Sequence, residues 1–270
     1  MIVVTGATGN VGRPLVQALL DAGSDVTAVS RRIDTAPEGA RHVRADLTDP
    51  ASLVPVLTGA SAVFLLTSGE FLAAGDPEKV VDVIAESGVR RVVLLSSQGV
   101  GTGRHAPATE QAVARLDATI LRAGGFHTNA LRWAEQVRTA RTVAAPFADV
   151  ALPTVDPADI AAVAAATLRE DGHAGQTYVL TGPEAVSPRA QADAIGDAIG
   201  EPVRFVELTA GQAREGMLRF MPAPVVDATL DILGSPLPAE QRVSDDVPRT
   251  LGRSAVSFGE WARRNALLFK

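Results

Sequence analysis

The stretch TGATGNVGRPL, Thr5 to Leu15, sets Gly6, Gly9 and Gly12 between the apolar run Ile2-Val3-Val4 and the start of a helix. A loop joining a first strand to a first helix brings backbone N–H groups against a phosphate only where no side chain intervenes, and glycine removes that obstruction. The helix N-terminus adds the positive end of its dipole. The spacing is G-x-x-G-x-x-G rather than the commoner G-x-G-x-x-G, and by itself it also describes a plain structural turn. Context decides for the phosphate seat. The loop directly follows a strand, directly precedes a helix with Leu15, Val16, Leu19 and Leu20 on one face, and is followed by further strand–helix units.

Outward from this loop, short apolar runs alternate with helical patterns, the mark of βαβ units and a parallel sheet. Strands are expected at 2–5, 25–29, 41–45, 62–66, 91–95 and 119–121. Asp49-Pro50, Asp76-Pro77, Asp156-Pro157 and Ser187-Pro188 each offer a capping oxygen followed by proline at the first helical position. Gly23, Gly59 and Gly88 sit where helices should stop. After Arg122 the pattern changes to Gly124-Gly125-Phe126, a helix expected over 129–137 and an irregular stretch to Pro153. Strand-like 176–180 and 203–207 flank a helix over 188–199, and the last third is rich in proline from Met221 to Pro248. The expected fold class is α/β, a Rossmann-type doubly wound parallel sheet with a smaller C-terminal α/β lobe over the substrate site. The division expected is 1–180 for the nucleotide-binding domain and 181–270 for the lobe, with 127–153 contributing to the latter.

Composition narrows the function. The 270 residues are 46% hydrophobic, ample for a core, and carry a formal net charge of −6 with no run of Lys or Arg longer than a pair. Nucleic acid is therefore not an expected partner. No apolar run approaches the roughly 20 residues of a membrane span, and Met1 leads straight into a strand, so a soluble, cytoplasmic protein is expected. There is no cysteine, which excludes disulfides, thiolate metal sites and a Cys nucleophile. Of the 25 basic residues only Lys79 and Lys270 are lysine, a bias that suits a GC-rich bacterial genome and leaves any lysine-dependent role two candidates. His42, His105, His127 and His173 are isolated in sequence, without metal-binding spacing.

About 20 residues beyond a dinucleotide loop, an acid holds the ribose of NAD, whereas a basic residue accepts the 2′-phosphate of NADP. Here the second strand ends in Ser30-Arg31-Arg32, so NADP(H) is preferred and NAD(H) remains possible. Asp46 and Leu47, after the third strand, are placed to meet the adenine, although Asp46 could equally cap the turn before Asp49. The acid that accompanies hydride transfer is harder to find. A Tyr-x-x-x-Lys pair is absent, because the single tyrosine, Tyr178, is followed four residues later by Gly182. The helix expected to carry such a pair reads Ala108-Thr109-Glu110-Gln111-Ala112-Val113 instead. Tyr178 itself reads as a packed strand residue. No G-x-S-x-G motif is present, and Ser96-Ser97 has no evident histidine partner.

These residues together resemble the NmrA-like atypical short-chain dehydrogenases: the TGATGNVG loop, Arg after the second strand, LLSSQGV (94–100), TILRAGGFHTN (119–129), VDPADIA (155–161), YVLTGPEAVS (178–187) and LGRSAVSFGEWA (251–262). The resemblance covers nearly the whole chain. It implies an NAD(P)H-dependent oxidoreductase that passes hydride to a quinone or related planar aromatic. The family also includes dye reductases, nucleotide sensors that bind cofactor without turnover, and tailoring enzymes of aromatic polyketides, some of which use oxygen. A branch similar to isoflavone reductases uses a catalytic lysine, which this chain lacks after Ser97.

On this reading the cofactor lies over Gly6, Thr8, Gly9, Asn10, Val11 and Gly12, and meets Ser30, Arg31, Arg32, Asp46 and Leu47 at one end. At the other it meets Thr67, Ser68, Gly69, Ser96, Gly124 and Phe126. Hydride addition to a quinone gives a stabilised oxyanion that water can protonate, so the protein contributes position and electrostatics. His127 is the titratable candidate beside the ring, or a structural histidine before the next helix. Gln98 and Ser97 are candidate donors to the substrate. Phe126, Asn129, Trp133, Phe147, Met217 and Phe220 are expected to wall the substrate pocket, or to be ordinary core. The expected assembly is a monomer or homodimer.

Overall fold

The computed structural model describes residues 1–31 and 37–270. Its strands are β1 (Ile2–Thr5), β2 (Val26–Ser30), β3 (Arg41–Arg44), β4 (Ala62–Leu66), β5 (Arg91–Ser97), β6 (Thr119–Ala123), β7 (Thr142–Pro146), β8 (Thr177–Leu180) and β9 (Arg204–Leu208). Seven of them form one parallel sheet in the order β3-β2-β1-β4-β5-β6-β8. A parallel sheet covered on both faces requires continuous apolar strands, and Val3, Val4, Phe64 and Val93 are fully buried. The edge strand β3 is instead charged and partly exposed at Arg41 and Arg44, which suits an unpaired edge. The chain winds outward from β1 to β3 and then returns to β4 on the other side of β1. That reversal makes the carboxyl ends of β1 and β4 a topological switch point, where open α/β sheets bind ligands.

The chain divides into two units. The first comprises Met1–Ala123, Pro157–Leu180 and Asp246–Gly252, and contains the seven-stranded sheet. Its core joins Val3, Val29, Leu65 and Leu94 of the strands to Phe71, Val80, Val81 and Ile84 of helices. The second comprises Gly124–Asp156, Thr181–Asp245 and Arg253–Lys270. In it β7 pairs with β9 in a two-stranded parallel sheet, and Trp133, Val137, Phe258, Trp261 and Phe269 form the core. Asp246–Gly252 thus belongs to the sheet-bearing unit, although it falls within the 181–270 segment assigned to the lobe.

Local expectations are met with some shifts. Asp76 and Ser187 accept hydrogen bonds from Lys79 N and Ala190 N, at 3.3 and 3.2 Å, and so cap the helices Pro77–Glu86 and Pro188–Ile199. Asp49 makes no such side-chain bond at the 3₁₀ turn Pro50–Leu53; it serves through its carbonyl, which accepts from Ser52 Oγ at 2.6 Å. The helix expected over 129–137 is a 3₁₀ segment His127–Trp133 running into an α-helix Ala134–Ala140. The irregular stretch before Pro153 contains β7, whose Thr-Val-Ala-Ala-Pro sequence has weak strand propensity. Its pairing with β9 supplies what the local sequence does not. Among the described residues, no helix is long and apolar enough to cross a membrane.

Candidate active site

The glycine loop is tight enough that its composition is dictated by its own closure. Gly6 takes a left-handed φ of +63°, and Gly9 N–H donates to the Gly6 carbonyl at 3.0 Å. A Cβ at Gly12 would lie 2.1 Å from that same oxygen, and one at Gly6 would lie 2.9 Å from Leu66 Cδ2. The loop is also tied to the neighbouring strand. Thr5 Oγ1 donates to Phe64 O at 3.0 Å and accepts from Leu66 N–H at 2.8 Å, which locks the carboxyl end of β1 to that of β4.

A cavity of about 230 Å³ opens here, lined by Gly6, Thr8 and Gly9 of the loop, Ser30 and Arg31 after β2, Asp46 and Leu47 after β3, and Ser68 after β4. This is below the roughly 300–1,000 Å³ of complete small-molecule sites, a size for one part of a dinucleotide. The position beside the ends of β2 and β3 suits the adenosine part. Leu53 and Leu66 add apolar wall that sequence spacing did not signal. The bare loop, the cation at the end of β2 and the apolar wall fit a 2′-phosphorylated adenine dinucleotide.

The charges around the cavity are linked. Asp46 Oδ1 accepts from Thr48 N and Thr48 Oγ1, both at 2.9 Å. The backbone bond from Thr48, opposed by burial and aided by the Thr48 hydroxyl and the charges of Arg31 and Arg44, holds its carboxyl below the usual range. Asp46 therefore caps its turn and lines the cavity together. Arg31 Nη1 forms an ion pair with Glu70 Oε2, an acid that sequence reasoning did not single out. Arg32 lies outside the described residues. Asn10 and Gly69 are exposed, whereas Val11 and Gly12 are buried beneath the loop.

At the carboxyl end of β5 the expected catalytic helix carries an ion-paired acid. Glu110, on the helix Ala108–Val113, accepts from Arg122 Nη2 at 2.6 Å, Arg122 Nε at 3.1 Å and Ser96 Oγ at 2.5 Å. Burial pushes the Glu110 carboxyl up, but the Arg122 and Ser96 hydrogen bonds and the Arg122 charge outweigh it and hold the carboxyl below its ordinary value. Ser96 is thereby turned into this network. Ser97 does have a histidine partner, contrary to the sequence reading: His105 Nδ1 stands 3.0 Å from Ser97 Oγ. The link comes from the turn after the short helix Gln98–Gly101, where the His105 backbone N–H donates to Gly99 O, and no sequence spacing announces it. No carboxylate partners His105 among the described residues, so this is not a hydrolase triad. Gln98 opens the short helix, half-buried, and Thr67 is half-buried just past β4. Tyr178, on edge strand β8, is 2.7 Å from His173 Nδ1 through its hydroxyl; burial, then the Asp246 charge, push its pKa up.

In the second unit, His127 is only 1% exposed, with Nε2 3.2 Å from Val256 O and Nδ1 2.9 Å from Thr154 Oγ1. A carbonyl can only accept, so Nε2 carries the donated proton. The ring packs edge-on against Phe258, 5.3 Å between centroids. This corrects the catalytic expectation: a buried imidazole with both nitrogens engaged is a structural cross-link. The residues expected to wall the substrate pocket differ in their exposure. Trp133 and Met217 are buried, Trp133 within the unit's core, Phe220 is 72% exposed, and the Phe147 ring presses on Gly234. Gly124 and Phe126 are half-buried and Asn129 is exposed, with Phe126 bridged to Val155 by backbone pairing.

Comparison with known proteins gives this geometry a setting. Residues 6–171 match a family model described as NAD(P)H-binding. The chain is 36% identical to a (4-alkanoyl-5-oxo-2,5-dihydrofuran-3-yl)methyl phosphate reductase of Streptomyces griseus, covering 100% of this chain and 99% of the relative. It is 31% identical to an NAD(P)H azoreductase of Xenophilus azovorans, again over 100% and 99%. The crystal structure of an NADPH-dependent quinone oxidoreductase of Escherichia coli, complexed with NADPH, matches with a TM-score of 0.81 at 22% identity, covering 98% and 99% of the two chains.

Proposed function

The chain belongs to the NAD(P)H-binding family, among the NmrA-like atypical short-chain dehydrogenases, and from that premise we propose that it reduces an electron-poor conjugated acceptor of the quinone type with NADPH. It is an NAD(P)H-dependent oxidoreductase. The observation that carries the finer reading is the pairing of a 2′-phosphate-type cation, Arg31, in the cavity with an acid–base position filled by the ion-paired Glu110. NADPH supplies a hydride. Quinones, azo compounds and conjugated lactones share a π system in which the added electron pair is delocalised, so a strong side-chain acid is dispensable.

The residues assigned to this work are few. Gly6, Thr8 and Gly9 hold the phosphate end, while Arg31, Asp46 and Leu47 hold the adenosine end. Ser97, capping its helix through Gly99 N–H at 3.0 Å with His105 behind its hydroxyl, is the donor we assign to the acceptor's developing anion. The full-length likeness to the furan phosphate reductase favours a conjugated lactone as a second acceptor class.

The test is anaerobic loss of reduced-nicotinamide absorbance with a quinone, an azo dye and an alkanoyl butenolide phosphate. Turnover of at least one is expected, with NADPH preferred to NADH. Tight NADPH binding without turnover of any would replace the enzyme by a nucleotide sensor. In a parallel assay under air, oxygen uptake coupled to product formation would make it an oxygenating tailoring enzyme. Arg31→Ala should weaken NADPH more than NADH, and equal losses for both would remove the cofactor preference.

A further inference from the structure

Arg31 does not wait in the cavity as a free cation. It reaches the cavity from the end of β2, while its partner Glu70 comes from the helix Gly69–Ala74 after β4. In the sheet β2 and β4 flank β1 on opposite sides, so the ion pair spans the carboxyl end of β1, where the glycine loop begins. Adjacent strands are about 4.8 Å apart, so the two side chains close roughly 10 Å over that loop's root. Glu70 is also held in place by its neighbours. Ser68 caps the helix by accepting from Phe71 N–H at 3.2 Å and lines the cavity itself. Phe71 is buried in the core and lies so closely over Gly75 that a Cβ there would come 2.2 Å from its ring. Glu70 is therefore a carboxylate carried on an anchored turn at the cavity's rim.

A 2′-phosphate recruits the guanidinium's donors and brings negative charge toward this carboxylate, whereas a plain ribose does neither. We propose that Glu70 sets how sharply the site distinguishes the 2′-phosphorylated dinucleotide from the plain one, by holding Arg31 in an ion pair that a bound 2′-phosphate must displace. The inference rests on the cofactor reading above. NADH binds with the pair intact, and NADPH binds by exchanging Glu70 for its own phosphate. Glu70 thus narrows the preference that Arg31 creates.

Both side chains are more than half exposed, 53% for Arg31 and 64% for Glu70, which limits the effect. Exposed pairs of this kind correspond to about two- to five-fold in an equilibrium constant. The experiment is equilibrium titration of the full chain with NADPH and NADH, followed by nicotinamide fluorescence, for wild type, Glu70→Gln, Arg31→Ala and the double variant. Glu70→Gln should tighten NADPH by about two- to five-fold, less at high salt, and leave NADH unchanged. On the Arg31→Ala background the same substitution should do nothing. An equal shift for both cofactors, a weaker NADPH complex, or an effect that persists without Arg31 overturns the role of Glu70. If wild type binds both cofactors and Glu70→Gln is silent, only this inference falls; if wild type binds neither, the cofactor reading falls and takes this one with it.

Discussion

Gly12 is the position where the fold leaves least room. With the Gly6 carbonyl 2.1 Å from where its Cβ would stand, Gly12→Ala forces the loop open and removes the phosphate seat. The expected outcome is a stability loss of about 1–3 kcal/mol by overpacking, read from chemical denaturation, together with loss of measurable NADPH binding. Glu110 gives a second prediction, with a sign fixed by its lowered carboxyl pKa. The contribution of the Arg122 pair is complete above the ordinary carboxylate value and is lost as the pH falls through the lowered folded value. Glu110→Gln should therefore cost roughly 1.5–3 kcal/mol at neutral pH and flatten the acid limb of the stability curve, measured as urea midpoints from pH 7 downward. An acid limb as steep as that of wild type would rule out Glu110 as its source. Gly6, Gly9, Arg31 and Asp46 were legible as cavity residues because a motif and a fixed offset from it locate them. Glu70 and His105 were not, because their partners are 39 and 8 residues away and meet only through the folded turns that follow β4 and β5. His127 misled for a related reason: sequence placed it beside a glycine loop, but its ring is taken up by Thr154 and Val256, remote along the chain.

At the scale of elements, the alternation of apolar runs and capped helices located all six expected strands of the main sheet, and the strand-like 176–180 became β8 at its far edge. The inner strands announce themselves because burial on both faces demands near-continuous apolar residues, whereas the edge strand β3, Arg-His-Val-Arg, is charged and exposed at both ends. The pair β7 and β9 was half legible. Arg204–Leu208 carries Phe205 and Val206, whereas Thr142–Pro146 depends on its partner for strand character. The helix Pro77–Glu86 offers a clean test of local reading: Asp76→Ala removes the side-chain acceptor from Lys79 N and should lower the thermal midpoint. The helix Gly69–Ala74 offers one of tertiary reading. Gly75→Ala should displace Phe71 from the core by steric conflict, destabilise the protein and shift Glu70 away from Arg31. Circular dichroism melts and the NADPH-to-NADH affinity ratio would report the two effects separately.

For the molecule as a whole, binding to the native state alone stabilises it by mass action. NADPH at about a hundred times its dissociation constant should add roughly 2.7 kcal/mol, with NADH at the same concentration adding less. Equal thermal shifts for the two would contradict the preference assigned to Arg31. The likeness to full-length reductases across 100% of the chain matches the spread of the sequence resemblance, which ran from the first loop to the final helix.

The return of Asp246–Gly252 to the sheet-bearing unit bears on how such a protein is taken apart or recombined. Asp246 Oδ2 accepts from Val179 N–H at 2.7 Å, so the last strand of the sheet is secured by a carboxylate encoded 67 residues downstream. A gene cut after residue 180 yields a sheet whose outer strand has lost that partner. Chimeras that exchange the second unit for a relative's must transplant three separate segments and leave 246–252 with the recipient.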